Sequence, residues 1–197
     1  MGNAALHRVL LSIHLAGVFI LLMGAGLLMV TMLGLRRAKT FEELRQAMFP
    51  GRWIEKVMPL GALLILIGGI WLAFLKNPRY NWHSAWIITS FVLVLAFTVN
   101  GEAHIGRKMK RLGRESGGKT GNLTPKAAAM SQNMLLHWTS WLGIGVIFSF
   151  IVLMVAKPGW LGSILWVLGG AAAGTVANWL AGYQPGQAES KVRKPAH

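Results

Sequence analysis

The chain has 197 residues, of which 54% are hydrophobic and only 13% charged, yet its formal net charge is +14. That profile belongs to an integral membrane protein and leaves no room for a separate soluble domain. Cysteine and aspartate are both absent. Disulfides, thiolate catalysis and cysteine-held metal sites are thereby excluded, and carboxylate-held magnesium or calcium is disfavoured.

Five long apolar runs divide the chain, and the basic residues alternate between the stretches that separate them. Six, seven and three of the 20 Lys and Arg residues follow the first, third and fifth runs. The N-terminus and the stretches after the second and fourth runs hold one, two and one. Loops rich in Lys and Arg stay in the cytoplasm, so the N-terminus is expected outside and the C-terminus inside. The basic residues flank apolar runs rather than crowd one domain, which points to anionic lipid headgroups and away from nucleic acid.

The first span is expected over residues 9–35, too long for the apolar core of a signal peptide, and Arg36, Arg37 and Lys39 stop it. Thr40-Phe-Glu-Glu43 matches a capping box, so a short helix from Phe41 to Phe49 should lie on the inner leaflet and end at Pro50-Gly51. The second span covers residues 58–75, with Gly68-Gly69 permitting close helix contact. A short outer loop, Lys76 to Asn81, leads to the third span over residues 84–100, whose helix continues through Ile105 to Leu112.

Thr124-Pro125 supplies an N-cap and a proline at the first helical position. The fourth helix should start there and cross over residues 135–156. After the Lys157-Pro-Gly159 turn comes the fifth span, residues 160–182, with the small-residue stretch Gly169 to Gly174. Residues 1–183 form the membrane domain on this reading, and residues 184–197 a disordered cytoplasmic tail. Trp82, Trp86 and Trp160 fall at the outer interface, and Trp53, Trp138, Trp141 and Trp179 at the inner one.

Gly113 to Thr120 spells the phosphate-binding pattern G-x4-G-K-[ST]. That chemistry needs a strand before the loop and a helix straight after it, and here a membrane helix precedes the loop and Pro125 soon follows. No nucleotide is expected. Asn122-Leu-Thr124 is a formal glycosylation sequon, but it lies in the cytoplasmic loop, where such glycans are not added.

Histidines within spans are functional candidates, because polar groups there are costly. His14 sits about 6 Å below the outer boundary at 1.5 Å per residue. His83 opens the third span on the same side, and two imidazoles from different helices suit axial haem ligation. The competing reading gives His14 a hydrogen bond to a neighbouring helix and leaves His83 at the interface. His104 and His137 form a weaker inner pair in the headgroup region, where histidine is cheap. His7 lies on the His14 face, nearer the interface. Thioethers favour copper(I), but Met23, Met29 and Met32 do not share one helical face, so copper is the lesser candidate.

His14-Leu-Ala-Gly17 early in an apolar helix, followed by Arg36-Arg37, resembles the opening of small bacterial membrane proteins of the copper-resistance D type. It also resembles HemJ-type protoporphyrinogen oxidases, whose early-helix histidine is implicated in haem binding. The plan is most similar to an uncharacterised family of predicted bacterial integral-membrane proteins. Trp71, Trp86 and Arg107-Lys-Met-Lys-Arg111 extend the likeness over roughly the first 155 residues. The long basic loop and the fifth span depart from the HemJ pattern. The resemblance implies His14 as a haem or metal ligand.

The sequence thus describes an all-α integral membrane protein, a bundle of five transmembrane helices in the bacterial inner membrane. Its expected role is binding haem b or a metal through His14 and His83, for electron transfer or haem and copper handling. The rival is an accessory subunit that docks on a larger membrane complex through Gly169, Gly170 and Gly174 of the fifth helix. A small transporter is a third reading, although the spans carry neither buried acids nor a broken helix.

Overall fold

A computed structural model of the chain describes residues 2–74 and 83–182. The outer loop and Trp82, and the expected tail, lie outside the described residues. Every element among the described residues is helical: α1 (Gly2–Arg37), α2 (Phe41–Met48), α3 (Gly51–Phe74), α4 (Ala85–Asn100), α5 (Arg107–Ser116), α6 (Pro125–Ser131), α7 (Met134–Ala156) and α8 (Trp160–Leu180). A π-helical segment, Gly101–Gly106, joins α4 to α5. Five stretches are long and apolar enough to cross a membrane, as expected.

Hydrophobic burial cannot drive one helix onto another in lipid, so close backbone approach and interhelical hydrogen bonds must do so. The bundle shows this in two antiparallel pairs. In the α1/α3 pair, a methyl placed on Gly61 would sit 3.0 Å from the Leu21 amide nitrogen and 3.1 Å from the Gly17 carbonyl oxygen. One placed on Gly17 would meet the Ile65 backbone at 2.8 Å. In the α7/α8 pair, a methyl on Gly145 would strike the Gly170 carbonyl, and one on Gly174 the Trp141 carbonyl. The Ser149 hydroxyl donates to the Trp166 carbonyl across that interface at 2.7 Å.

The inner end of the bundle carries a helical cap. Thr40 and Glu43 form the expected capping box, with Thr40 Oγ1 accepting from the Glu43 amide at 3.2 Å. The apolar face of α2 does not lie on lipid, however. Phe41 and Leu44 are buried against α1 and α5. The segment after α5 closes over them: the Phe41 amide donates to the Gly121 carbonyl at 2.9 Å, and the Leu123 amide to Lys39 at 3.0 Å. Arg45 Nη1 donates to the Ser116 carbonyl at 3.1 Å and caps the end of α5.

Gly113 to Ser116 is therefore helical rather than a phosphate-cradling loop, and Lys119 is tied to Glu115 at 2.6 Å. Hydrogen bonds from Lys119 and Lys126 hold the Glu115 carboxyl below the usual carboxylate range. With Arg107, Lys110, Arg111 and Arg114 of α5 on this cap, the positive-inside rule places it in the cytoplasm.

The fourth crossing differs from the single helix expected. Thr124 caps α6 through the Ala127 amide at 3.3 Å, but the helix stops at Ser131. Asn133 then starts α7 afresh, its Oδ1 accepting from the Leu136 amide at 3.0 Å and from Lys108 Nζ at 2.9 Å. A second N-cap residue, held from α5, is the reason for the break. Trp141, expected at the interface, is buried where α8 closes over α7.

The glycine contacts predict a sharp positional difference. Gly145→Ala should destabilise the protein by roughly 1–3 kcal/mol through overpacking. Gly169→Ala, where an added methyl meets nothing within 4 Å, should be nearly neutral. Unfolding of the two variants in mixed micelles measures the contrast.

Candidate functional site

The two helix pairs are joined at the inner end and part toward the outer end. Between them lies a cleft of about 410 Å³, walled by α1, α3, α4 and α7. Its lining is almost wholly apolar, from residues such as Leu11, Leu66, Phe91 and Phe150. The polar groups are few: His14 and Ser90 on the walls, with His7, Trp86 and Lys157 also on the lining. A concave apolar site with a few converging polar groups is the usual form of a small-ligand site.

His14 is fixed by α3. A methyl on Gly68 would fall 2.9 Å from the His14 Cβ, so a side chain there would force the helices apart, and one on Gly69 would press the ring Cε1 at 3.3 Å. The ring then donates from Nδ1 to the Ile65 carbonyl at 3.0 Å. That bond assigns the proton to Nδ1 and leaves the lone pair on Nε2. The hydrogen bond to a neighbouring helix, first weighed as a rival to ligation, is present and is compatible with it.

His83 stands exposed just before α4 and is not on the cleft lining, whereas His7 is. His104 lies in the π-helical segment, and its Nε2 is buried without a hydrogen-bond partner among the described residues. His137 is fully buried and has both nitrogens engaged. Nε2 donates to the Ser131 carbonyl at 2.8 Å, and Nδ1 accepts from Arg36 Nε at 3.3 Å. Arg36 also donates from Nη1 to the Asn178 carbonyl at 3.0 Å and from Nη2 to Asn178 Oδ1. His137 thus belongs to a joint that ties α1, α7 and α8 together, and the structure does not bring a free lone pair of it to a ligand.

Among the described residues, no group of three or more His or acidic side chains is placed to hold a metal ion. Met32 is buried while Met23 and Met29 face outward, so the three thioethers do not converge. On the fifth helix, Gly170 and Gly174 are occupied by α7, and only Gly169 of the three faces open space. Sequence reasoning missed Ser90, Asn178 and the joining role of Arg36. Asn178, a polar residue inside an apolar span, was the available signal.

The fold defines a multi-pass helical membrane protein, with an apolar cleft between α1, α3, α4 and α7. Residues 8–158 match the family described as predicted integral membrane protein (DUF2269), and the chain belongs to that family. The match ends in the turn before α8. No curated protein and no solved structure matches the chain.

The joint at the inner end gives a second prediction. Arg36→Met removes donors from His137 Nδ1 and Asn178 Oδ1, at a cost of roughly 1–3 kcal/mol for each buried acceptor left unsatisfied. Combining it with Asn178→Leu should cost clearly less than the sum of the two single changes, because the groups share one network. Urea unfolding of the single and double variants in micelles tests this.

Proposed function

We propose that the protein binds haem b in the outer cleft with His14 as axial ligand, serving electron transfer or haem handling. The observation that carries this reading is the His14 ring. Its Nδ1–H is held by a backbone carbonyl, the usual support of a ligating histidine, and its Nε2 is left for iron. The apolar walls suit a macrocycle. A bare metal ion suits the site less well, because such ions take three or four protein donors and the described residues of the lining offer two imidazoles and no carboxylate.

His7 is not expected as the second ligand. It lies on the same helix as His14, about 10 Å away at 1.5 Å per residue, too far to flank one iron. Bound haem would supply one-electron chemistry. The residues of the chain would ligate it, orient it and keep water from it.

Haemin titrated into the purified protein should give a Soret band with resolved visible bands. His14→Ala should abolish them, exogenous imidazole should restore them, and His83→Ala should leave them unchanged. A protein that stays colourless with excess haemin sinks the reading and favours the accessory-subunit alternative.

A further inference from the structure

At the inner end of the bundle the start of α3 meets α5. A methyl on Gly51 would fall 3.3 Å from the Met109 Cε, and one turn further along α3 the Glu55 carboxylate stands 4.0 Å from Lys110 Nζ. Both of those side chains are exposed, and an exposed ion pair at that distance is weak. It marks the centre of a cluster of cations. On α5, Arg107, Lys110, Arg111 and Arg114 are exposed and recur every three or four residues, so they share one face. Leu112 and Ser116 are buried on the opposite face. On α3, Arg52 and Lys56 are exposed on the same face as Glu55. Glu115, the one acid of α5, is taken by Lys119 at 2.6 Å and Lys126 at 2.9 Å. Among the described residues, Glu55 is thus the one carboxylate set among these six cations.

The depth of the cluster follows from the two spans that carry it. Arg52 lies 22 residues before Phe74, the outer end of α3, and Arg107 lies 22 residues after Ala85, the outer end of α4. At 1.5 Å per residue each is about 33 Å from the outer end, just past a hydrocarbon core of ~30 Å. Both cation groups therefore stand at the phosphate level of the inner leaflet. Trp53 is exposed beside them, as an interfacial indole should be. Toward the outer end, Leu60, Leu63, Ile67 and Trp71 continue the face of Lys56 along α3, and all four are exposed. A cationic corner is thus followed, down one helix, by an unbroken apolar stripe.

From this juxtaposition we infer that the corner between α3 and α5 binds an anionic phospholipid of the inner leaflet. Its phosphate accepts from cations of both helices, and an acyl chain runs along the exposed stripe of α3. Guanidinium groups suit the phosphate, because their paired N–H donors match its oxygens. A lipid fits better than a soluble polyanion, since the cations stand at headgroup depth and the surface below them is apolar. The bound lipid ties α5 to α3, where the chain itself supplies one weak ion pair. This site is independent of the cleft and of what fills the cleft.

The test uses the full chain in phosphatidylcholine vesicles holding a trace of spin-labelled phosphatidylglycerol or of spin-labelled phosphatidylcholine. The phosphatidylglycerol should be enriched several-fold at the protein over the phosphatidylcholine, and the enrichment should fall as salt is added. Arg52→Gln combined with Arg111→Gln should bring the two lipids close to parity, since one basic residue at a charged lipid surface counts for about fivefold in affinity. Both side chains are exposed, so the fold should tolerate the change. Arg52→Lys with Arg111→Lys should retain most of the preference. Arg37→Gln with Lys39→Gln removes the same charge from the end of α1 and should leave the preference nearly intact. If phosphatidylglycerol is not preferred, or if the α1 pair lowers the preference as much as the α3/α5 pair, the inference is overturned. Displacement of the lipid by a short duplex DNA would assign the cations to nucleic acid and overturn it as well.

Discussion

Lipid is as apolar as the side chains that meet it, so a helix in a membrane gains little by touching another unless the backbones come close. The glycines of this chain supply that closeness at the same heptad spacing on both partners. Gly17 and Gly24 on α1 face Gly61 and the Met58 side chain on α3, and Gly68 lies against the His14 backbone. Each pair becomes one unit with backbones in van der Waals contact. The remaining architecture then reduces to how the two units are joined. At the inner end they are joined by Arg36, which reaches His137 and Asn178, and by the packed cap. The cleft lies toward the other end, between α1, α3, α4 and α7. Gly68 and Gly69 link the two levels, since the approach that pairs α3 with α1 also sets the imidazole beneath the Ile65 carbonyl.

The cytoplasmic cap solves a different problem, that of assembling a strongly basic region. Its few acids are used with economy. Glu43 closes the capping box of α2, Glu42 accepts the Gly121 amide at 3.2 Å, and Glu115 holds both Lys119 and Lys126. Arg107, Arg111 and Arg114 of α5 are exposed, and Lys110 reaches Glu55 of α3 at 4.0 Å. The feature that reads from sequence as a charge imbalance is, in the folded chain, a small domain-like cover over the inner end of the bundle.

Much of this was legible because it is local. The capping box at Thr40 and the Thr124-Pro125 start follow from neighbouring residues, and the spans follow from length and hydropathy. The facing of each span was not legible. A helix apolar on all sides has no polar face to betray its orientation, so periodicity could not say that Trp141 turns inward or that His83 is not on the cleft lining. The break at Asn133 was hidden for another reason: it depends on a lysine from α5, far away in sequence. Arg36 looked like a stop signal, and its bond to Asn178 crosses 142 residues. His14 alone of the site was legible, since an imidazole inside a span is conspicuous, whereas the Ser90 hydroxyl is not.

The chemistry open to the cleft follows from what its lining carries. Among the described residues, acid–base or nucleophilic catalysis would fall on His14, because they bring no carboxylate to the lining and the other deep polar group is a hydroxyl with no base bonded to it. Yet the Nδ1–H of His14 is committed to a helix carbonyl, which cannot stabilise an imidazolium as a carboxylate partner would. The same bond is an asset for ligation, where the ring must hold one tautomer and one direction. The imidazole of His14 is held in one tautomer and one direction on the wall of an apolar cleft. That arrangement is what the proposed role asks for: a wall that holds a lipophilic group bringing its own chemistry.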